Sequence, residues 1–449
     1  MENNGTMKRN IGVLSGLGIL VGYVIGASIF VTPGTLAEST GPHVWLAYFI
    51  AGIPAFTLCF VYAQLGTLVP VSGAIYVFSS LTITNRGGYL YSIFTATELI
   101  FSTPLMAITM ATYLQVFISD LNITISALVI MLLTFGLNFF GNRVGGQVQN
   151  FAILFLAIVV LIFTFGGVIK ADWSHFTPAF PNGVSPILAG VLSCYYSFAG
   201  FNILTEMSGE IKNPSKNIPR ILFLGFSIVM LLYVGTCVSL VALVPYTELG
   251  IGEPVVFAAT KIFNSGWFGT FLALAAICGC WTTLNASFLG LPRTLMQLGR
   301  SKFLPKIYTK LNRFGVPIVS LSTFMCLALV AFFISDNVLF LIDMGSLFLM
   351  LVAILVCIGS LRIKKCMHEE YLNASYKLKG AFYYIWPILT LLGTGYFLAD
   401  YLIRNPIILL SATIFIGIML LIYTLRKNTL KKQGIDMDKE MQKVLTESE

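Results

Sequence analysis

Charge is what this sequence has least of. Asp, Glu, Lys and Arg make up 10% of its 449 residues, against roughly 25% in an ordinary soluble domain, so there are too few ionic groups to coat a water-exposed globule. Metal-ligating patterns are missing as well. His43, His175 and His368 stand singly near polar segments, and Cys278 and Cys280 are one residue too close for a CxxC pair. No metal site and no cofactor is therefore expected. The sequence has no GxxxxGK[ST] loop, no GxGxxG turn after a strand and no GxSxG elbow, which disfavours a nucleotide-driven pump and a hydrolase. With no nucleophile, base and metal set in view, an enzyme is not expected either.

What is present is apolar material, 57% of the chain, arranged in runs long enough as helices to cross a hydrocarbon core of roughly 30 Å. In lipid such runs must be helical, because a helix satisfies its own backbone hydrogen bonds. They fall at 11–37, 43–69, 88–118, 123–141, 148–169, 186–207, 221–245, 266–292, 317–334, 338–361, 381–402 and 406–425. The predicted architecture is thus an all-α polytopic membrane protein with twelve transmembrane helices. Charge sets the orientation. If the amino terminus is cytoplasmic, the cytoplasmic loops and two tails hold 24 of the 27 Lys and Arg, all but Lys170, Lys261 and Arg404. Both termini are therefore expected on the cytoplasmic side of the cell's inner (plasma) membrane. The net charge of +8 reports this topology and gives no support to nucleic-acid binding. The first run is too long, and lacks the small-residue cleavage site, for a removable signal peptide. Seven of the eight cysteines lie in apolar runs, where they serve as small hydrophobes.

Two runs contain residues that a plain lipid-facing helix does not need. The first carries Gly22, Gly26, Ala27, Ser28, Ile29 and Phe30, then Pro33 and Gly34. Pro33 has no N–H for the carbonyl of Ile29, and the glycines weaken the helix around it. The same small residues also suit close helix packing, so a break is one of two readings. The sixth run holds Tyr195, Tyr196, Ser197, Phe198, Ala199, Gly200, Phe201 and Asn202, which reads as an aromatic core stripe or as a second interruption. Runs one and six occupy matching places if the first ten spans form two five-span halves. Paired interrupted segments of that kind point to a binding site between inverted repeats.

Several motifs carry a resemblance. Gly26-Ala27-Ser28-Ile29-Phe30 with Pro33-Gly34, Pro70-Val71-Ser72-Gly73-Ala74-Ile75-Tyr76, Ser197-Phe198-Ala199-Gly200-Phe201-Asn202, Gly209 through Arg220 (GEIKNPSKNIPR), and Pro292-Arg293 through Gly299-Arg300 to Leu304-Pro305 are similar to signatures of the amino acid, polyamine and organocation (APC) superfamily, in that superfamily's order. Pro104, Asn285 and Gly345-Ser346-Leu347 also fit, and the likeness spans roughly 11–427. The resemblance implies a five-plus-five inverted repeat (the LeuT-like fold) with spans one and six interrupted and two further helices. The expected organisation is a cytoplasmic tail at 1–10, a ten-helix transport core at 11–361, a connecting segment with two additional spans at 362–427, and a cytoplasmic tail at 428–449. Alternating access around a midplane site, driven by a gradient or by exchange, follows from the same likeness.

Carried over residue by residue, the resemblance gives the N–H groups around Ala27, Ser28 and Ile29 to the α-carboxylate of an amino acid. This agrees with the donors and positive dipole end at the start of a half-helix. The ammonium would meet carbonyls near Gly22 to Ile25, beside Gly26, and around Tyr196, Ser197, Phe198 and Ala199. Phe201 stands where relatives place an aromatic gate after Gly200, Phe198 is a wall of the side-chain pocket, and Asn202 stands where relatives carry Asn or an acid. Lys212, Pro214, Pro219, Arg220, Arg293, Arg300 and Lys302 read more simply as cytoplasmic helix ends and topology anchors.

Glu98 in span three and Glu206 in span six would each cost about 2.5 to 3.5 kcal/mol if charged at the bilayer centre, so each is expected to face protein or water or to be protonated. Both are candidates for coupling, and both also read as hydrogen-bonded structural groups. Asp343 is shallower and reads as structural. One position departs from the pattern: where many proton-coupled and exchanging relatives carry a lysine midway along span five, this sequence has Leu156. Exchange, proton symport and sodium coupling all stay open. The expected partners are an amino acid cargo, the lipid membrane, and a co-transported proton or an exchanged amino acid. The loop between spans three and four has no cysteine, so no disulfide-linked accessory subunit is implied. A polyamine or cationic-metabolite antiporter and a non-transporting membrane sensor are the alternatives.

Overall fold

An apolar segment with no water around it has to pair its own N–H and C=O groups, and the helix does so within a single stretch of chain. The computed structural model describes residues 11–26, 28–68, 74–140, 145–262, 267–300, 302–335, 337–374 and 376–434. Within them the chain is almost wholly helical, in the order α1 (Val13–Ile25), α2 (Ser28–Thr40), α3 (Val44–Leu68), α4 (Ala74–Thr82), α5 (Asn85–Leu114), α6 (Ile123–Phe139), α7 (Gly145–Ile169), α8 (Ser185–Tyr196), α9 (Ile203–Glu206), α10 (Pro214–Leu243), α11 (Pro254–Ile262), α12 (Trp267–Arg300), α13 (Ile318–Ile334), α14 (Val338–Leu361), α15 (Ile363–Cys366), α16 (His368–Asn373), α17 (Phe382–Arg404) and α18 (Pro406–Lys432). Extended pairing among the described residues is limited to two isolated bridges, Ile11 with Ile211 and Leu311 with Pro317.

Among the described residues nine helical stretches are long and apolar enough to cross a membrane, α1 and α2 counting together as one; α6, α8 and α13 are shorter apolar helices. The protein is a multi-pass membrane protein. α14 is the most enclosed of the nine, 67% buried along its apolar stretch, against 6% for α18, so α18 lies at the periphery with its side chains turned outward. At the centre α5 packs on α12 and α14, α10 packs on α3 and α7, and α1 packs on α10, α7 and α12. α1 and the segment joining α8 to α9 therefore sit inside a shell of long helices.

The helices differ from the apolar runs in several respects. α12 continues through Pro292 to Arg300, eight residues past the predicted end at 292, since a helix leaving the bilayer need not stop where its apolar content does. The run at 186–207 divides into α8 and α9 with six non-helical residues between them. Short helices α4, α11, α15 and α16 occupy segments between the predicted runs, and each is too short to show as a hydrophobic stretch.

Candidate functional site

The first chain segment to leave helical geometry inside the shell is at Gly26. α1 ends at Ile25, Gly26 takes φ +39° and ψ −154°, and α2 begins at Ser28. Glycine reaches positive φ without the Cβ clash that penalises other residues. In an unbroken helix the carbonyl of Val24 would accept the N–H of Ser28, four residues on. Here it accepts the hydroxyl of Tyr233 at 2.8 Å instead. Ala27, assigned above to carboxylate binding, lies outside the described residues, as do Val69 to Gly73.

The second departure is wider. After α8 the N–H groups of Ser197, Phe198 and Ala199 each bond three residues back, to Cys194, Tyr195 and Tyr196, and the helix tightens before it ends. Gly200 then takes φ +108°, and the N–H groups of Gly200, Phe201 and Asn202 have no backbone acceptor among the described residues. α9 resumes when Ile203 bonds back to the Gly200 carbonyl at 3.0 Å. A Cβ on Gly200 would lie 2.4 Å from the Tyr23 ring of α1. This turn therefore packs directly on the helix that ends at the first.

A cavity of about 60 Å³ lies between the two turns, lined on one side by Tyr23, Val24, Gly26 and Ser28 and on the other by Tyr196, Ala199, Gly200 and Asn202. Helices α5, α12 and α14 close it with Glu98, Thr283 and Val352 among others. At about 15 Å³ per water the space holds on the order of four waters, so a cargo of amino acid size requires the walls to part. A smaller cleft adjoins it, bounded by Tyr62, Tyr195, Phe198, Phe201 and Asn202.

Of the residues singled out in the sequence, Gly26, Ser28, Glu98, Tyr196, Ala199, Gly200 and Asn202 meet at the main cavity, and Phe198 and Phe201 line the cleft beside it. Gly22, Ile25, Ile29 and Ser197 line neither. Gly22 abuts Ile153 of α7, where a Cβ would come within 2.2 Å of the isoleucine side chain, so its smallness serves close packing. Ile25 and Ile29 are buried in the apolar core.

The two acids differ. Glu206 at the end of α9 accepts the Tyr91 hydroxyl at 2.7 Å and the N–H of Ile75, which ties α9 to α5 and α4. Glu98 is 9% exposed, faces the cavity, and makes no hydrogen bond among the described residues. No Lys, Arg or His lines that cavity. Leu156 is 1% exposed and lies beside Gly279 of α12, near the Gly26 carbonyl. Asp343 accepts Ser193 at 2.5 Å, and Asn138 donates to Asn285 at 2.9 Å, joining α6 to α12.

The GEIKNPSKNIPR segment has a defined place. Ile11 donates to the Glu210 carbonyl at 3.1 Å and accepts from Lys212 at 2.9 Å, so the chain entering α1 is paired with the chain leaving α9. Asn213 takes φ +44° and the Asn217 amide caps the Lys212 carbonyl, which fixes the turn into α10. Sequence reasoning missed Tyr233 altogether, because an aromatic residue in an apolar helix carries no signal of what its hydroxyl meets.

A profile for amino acid permeases matches residues 11–428. The chain belongs to the amino acid permease family. The permease is 24% identical over 311 residues to the methylthioribose transporter of Bacillus subtilis, a match covering 65% of this chain and 67% of that one. It is 22% identical over 328 residues to a branched-chain amino acid permease of the same organism, covering 68% and 70%. It is 28% identical over 358 residues to a mitochondrial cationic amino acid transporter of Arabidopsis thaliana, covering 74% of this chain and 59% of that one. The family is one of transporters, not enzymes, and the resemblance to the APC superfamily read from the motifs holds across the permease.

Proposed function

We propose that this permease is a secondary active amino acid transporter that works by alternating access and grips the cargo's backbone between the turn at Gly26 and the turn at Ser197–Asn202. The observation that carries the reading is the meeting of these two turns at one cavity enclosed by α5, α12 and α14. The start of α2 offers donors at Ser28 and Ile29 and the positive end of a helix dipole to a carboxylate. The wider turn adds the N–H groups of Gly200, Phe201 and Asn202, while carbonyls at the end of α1 suit an ammonium.

In this reading α1 and α2 are one interrupted span, α8 and α9 another, and with the other spanning helices they make twelve. Residues 11–361 form the inverted-repeat core, 362–427 add two spans, and both tails are cytoplasmic at the plasma membrane. Coupling falls first to Glu98. It faces the cavity with no hydrogen-bond partner among the described residues, whereas Glu206 already holds Tyr91 and Ile75. A carboxylate in the membrane interior with no basic neighbour gains most by taking a proton or a cation. That same observation favours a second reading, a polyamine or cationic-metabolite antiporter.

Counterflow in proteoliposomes decides between them. Liposomes loaded with unlabelled L-leucine, L-alanine, L-lysine, L-glutamate or putrescine are offered the labelled compound. Accumulation of at least one amino acid and not of putrescine is expected. Accumulation of putrescine alone sinks the main reading, and binding without counterflow in any arm points to a sensor.

A further inference from the structure

The Tyr233 hydroxyl stands at a place no motif marked. Tyr233 lies in α10, is fully buried, and is flanked by the rings of Tyr48 at 5.6 Å and Phe198 at 5.5 Å. Its oxygen is 2.8 Å from the carbonyl of Val24 and 2.7 Å from the carbonyl of Ser197, with Ser28 facing the same hydroxyl. Each carbonyl is the one its break releases. Val24 would serve Ser28 in a continuous helix, and Ser197 would serve Phe201. Breaks in two segments far apart in sequence thus deliver their orphaned acceptors to one donor on a third helix.

We infer that Tyr233 is a positioning residue for cargo binding: its hydroxyl ties the two interrupted segments together and sets the distance between them. A phenol has one proton. Two carbonyls at hydrogen-bond distance therefore share it, and among the described residues neither has another donor, so at any moment one is short of a proton from this set. Val24 lines the cavity and Ser197 does not. An ammonium arriving in the cavity can satisfy Val24 and leave the tyrosine proton wholly to Ser197, so cargo binding completes a set of bonds that the empty site leaves incomplete. Two oxygens of like partial charge would otherwise repel at this junction, and the hydroxyl does what a bridging cation would do, without an ion. The inference rests on the reading of the cavity as the amino acid site.

The test is Tyr233→Phe, which keeps the ring and removes the tie. Tyr383→Phe is the control, because Tyr383 is also buried and donates to a helix carbonyl, that of Ser360 at 2.9 Å, away from both turns. In counterflow with the same four amino acids, Tyr233→Phe should raise KM for every transported one by a common factor of about five to ten, the worth of one buried hydrogen bond. The order of preference among side chains should stay as in the wild type, and Tyr383→Phe should leave KM unchanged. Independently of any cargo, hydrogen–deuterium exchange on the purified ligand-free chain should speed up in both 24–31 and 197–203 for Tyr233→Phe. The idea is overturned by an unchanged KM, by a changed order of preference, or by an equal KM rise in the control. It is equally overturned if exchange quickens in only one segment or in neither. A wild type silent toward all four amino acids would instead refute the functional reading, and the exchange measurement would still judge the tie.

Discussion

The two turns that meet at the cavity are built by opposite means. At the first, helix ends at Ile25 and begins again at Ser28, and Gly26 turns the chain at φ +39°. At the second, six residues from Ser197 to Asn202 lie outside the helices, three of them drawn into tight turns before Gly200 reverses the path at φ +108°. The glycines differ in the same way. A Cβ on Gly26 would meet nothing nearer than the Thr283 hydroxyl at 3.3 Å, whereas one on Gly200 would lie 2.4 Å from the Tyr23 ring. Gly26 is therefore needed chiefly for its backbone angle, and Gly200 for its angle and for the contact between the two segments.

This difference sets the largest expected effect. Gly200→Ala combines a positive φ, costing about 1–2 kcal/mol, with overpacking against a buried ring, typically about 1–3 kcal/mol. Its uptake should fall at least tenfold, whereas Gly26→Ala, which adds backbone strain and a milder contact with the Thr283 hydroxyl, should lose about three- to tenfold. Initial rates normalised to protein in the membrane give the ratio. A Gly26→Ala defect as deep as that of Gly200→Ala would mean that the narrow turn is as tightly packed as the wide one.

How far this contrast was legible in the sequence depends on where each constraint lives. Both turns were marked by glycine beside polar or small residues, and the long helices by apolar runs, because local chemistry decides them. The width of the second turn was not marked: Phe198, Ala199 and Phe201 are as much at home in a helix. Tyr233 could not be read at all, since its partners Val24 and Ser197 are 209 and 36 residues away and enter through backbone atoms that no side-chain pattern reports. The close packing of Gly22 was hidden for the same reason, as its neighbour Ile153 belongs to another helix. The end of α12 at Arg300 lies beyond the apolar run because a helix keeps its backbone hydrogen bonds where its apolar content stops.

The acids extend the comparison, since Glu98 faces the first turn across the cavity and Glu206 closes the second. Replacing Glu98 by Gln, which imitates the protonated shape, should remove the pH dependence of net uptake and leave exchange of substrate for substrate within about threefold of wild type, because exchange need not return an empty carrier. In the wild type, net uptake should rise as the outside becomes more acidic, since protonation neutralises a carboxylate whose charge the membrane interior penalises. Glu206→Gln keeps an oxygen for Tyr91 and should retain the pH response. Net uptake and exchange at two pH values separate the cases. Retained pH dependence in Glu98→Gln, with its loss in Glu206→Gln, would reverse the assignment.

A smaller effect is expected where the chain entering α1 is joined to the chain leaving α9. Ile11→Pro removes the N–H that bonds to Glu210 and should lower the maximal rate about two- to fivefold with KM unchanged, the loss of one partly exposed backbone bond. Ile11→Ala keeps that bond and should transport as the wild type does. If the alanine variant is impaired as much as the proline variant, side-chain packing rather than the backbone bridge joins the two ends.

The smallest effect is predicted at Ser28, which has both a hydroxyl facing Tyr233 and an N–H at the start of α2. If the narrow turn works through its backbone, Ser28→Ala should change KM by no more than about twofold, since a neutral hydroxyl that is not the sole partner of any group contributes little on removal. Gly26→Leu, by contrast, leaves the donors in place but fills the approach to them. The Leu variant should bind poorly although its Ser28 is intact, and the Ala variant should bind well although its hydroxyl is gone. Paired measurement of KM in the two variants tests this directly. Equal impairment would mean that the Ser28 side chain itself holds the carboxylate, and the contrast between a narrow backbone turn and a wide packed one would then have to be redrawn.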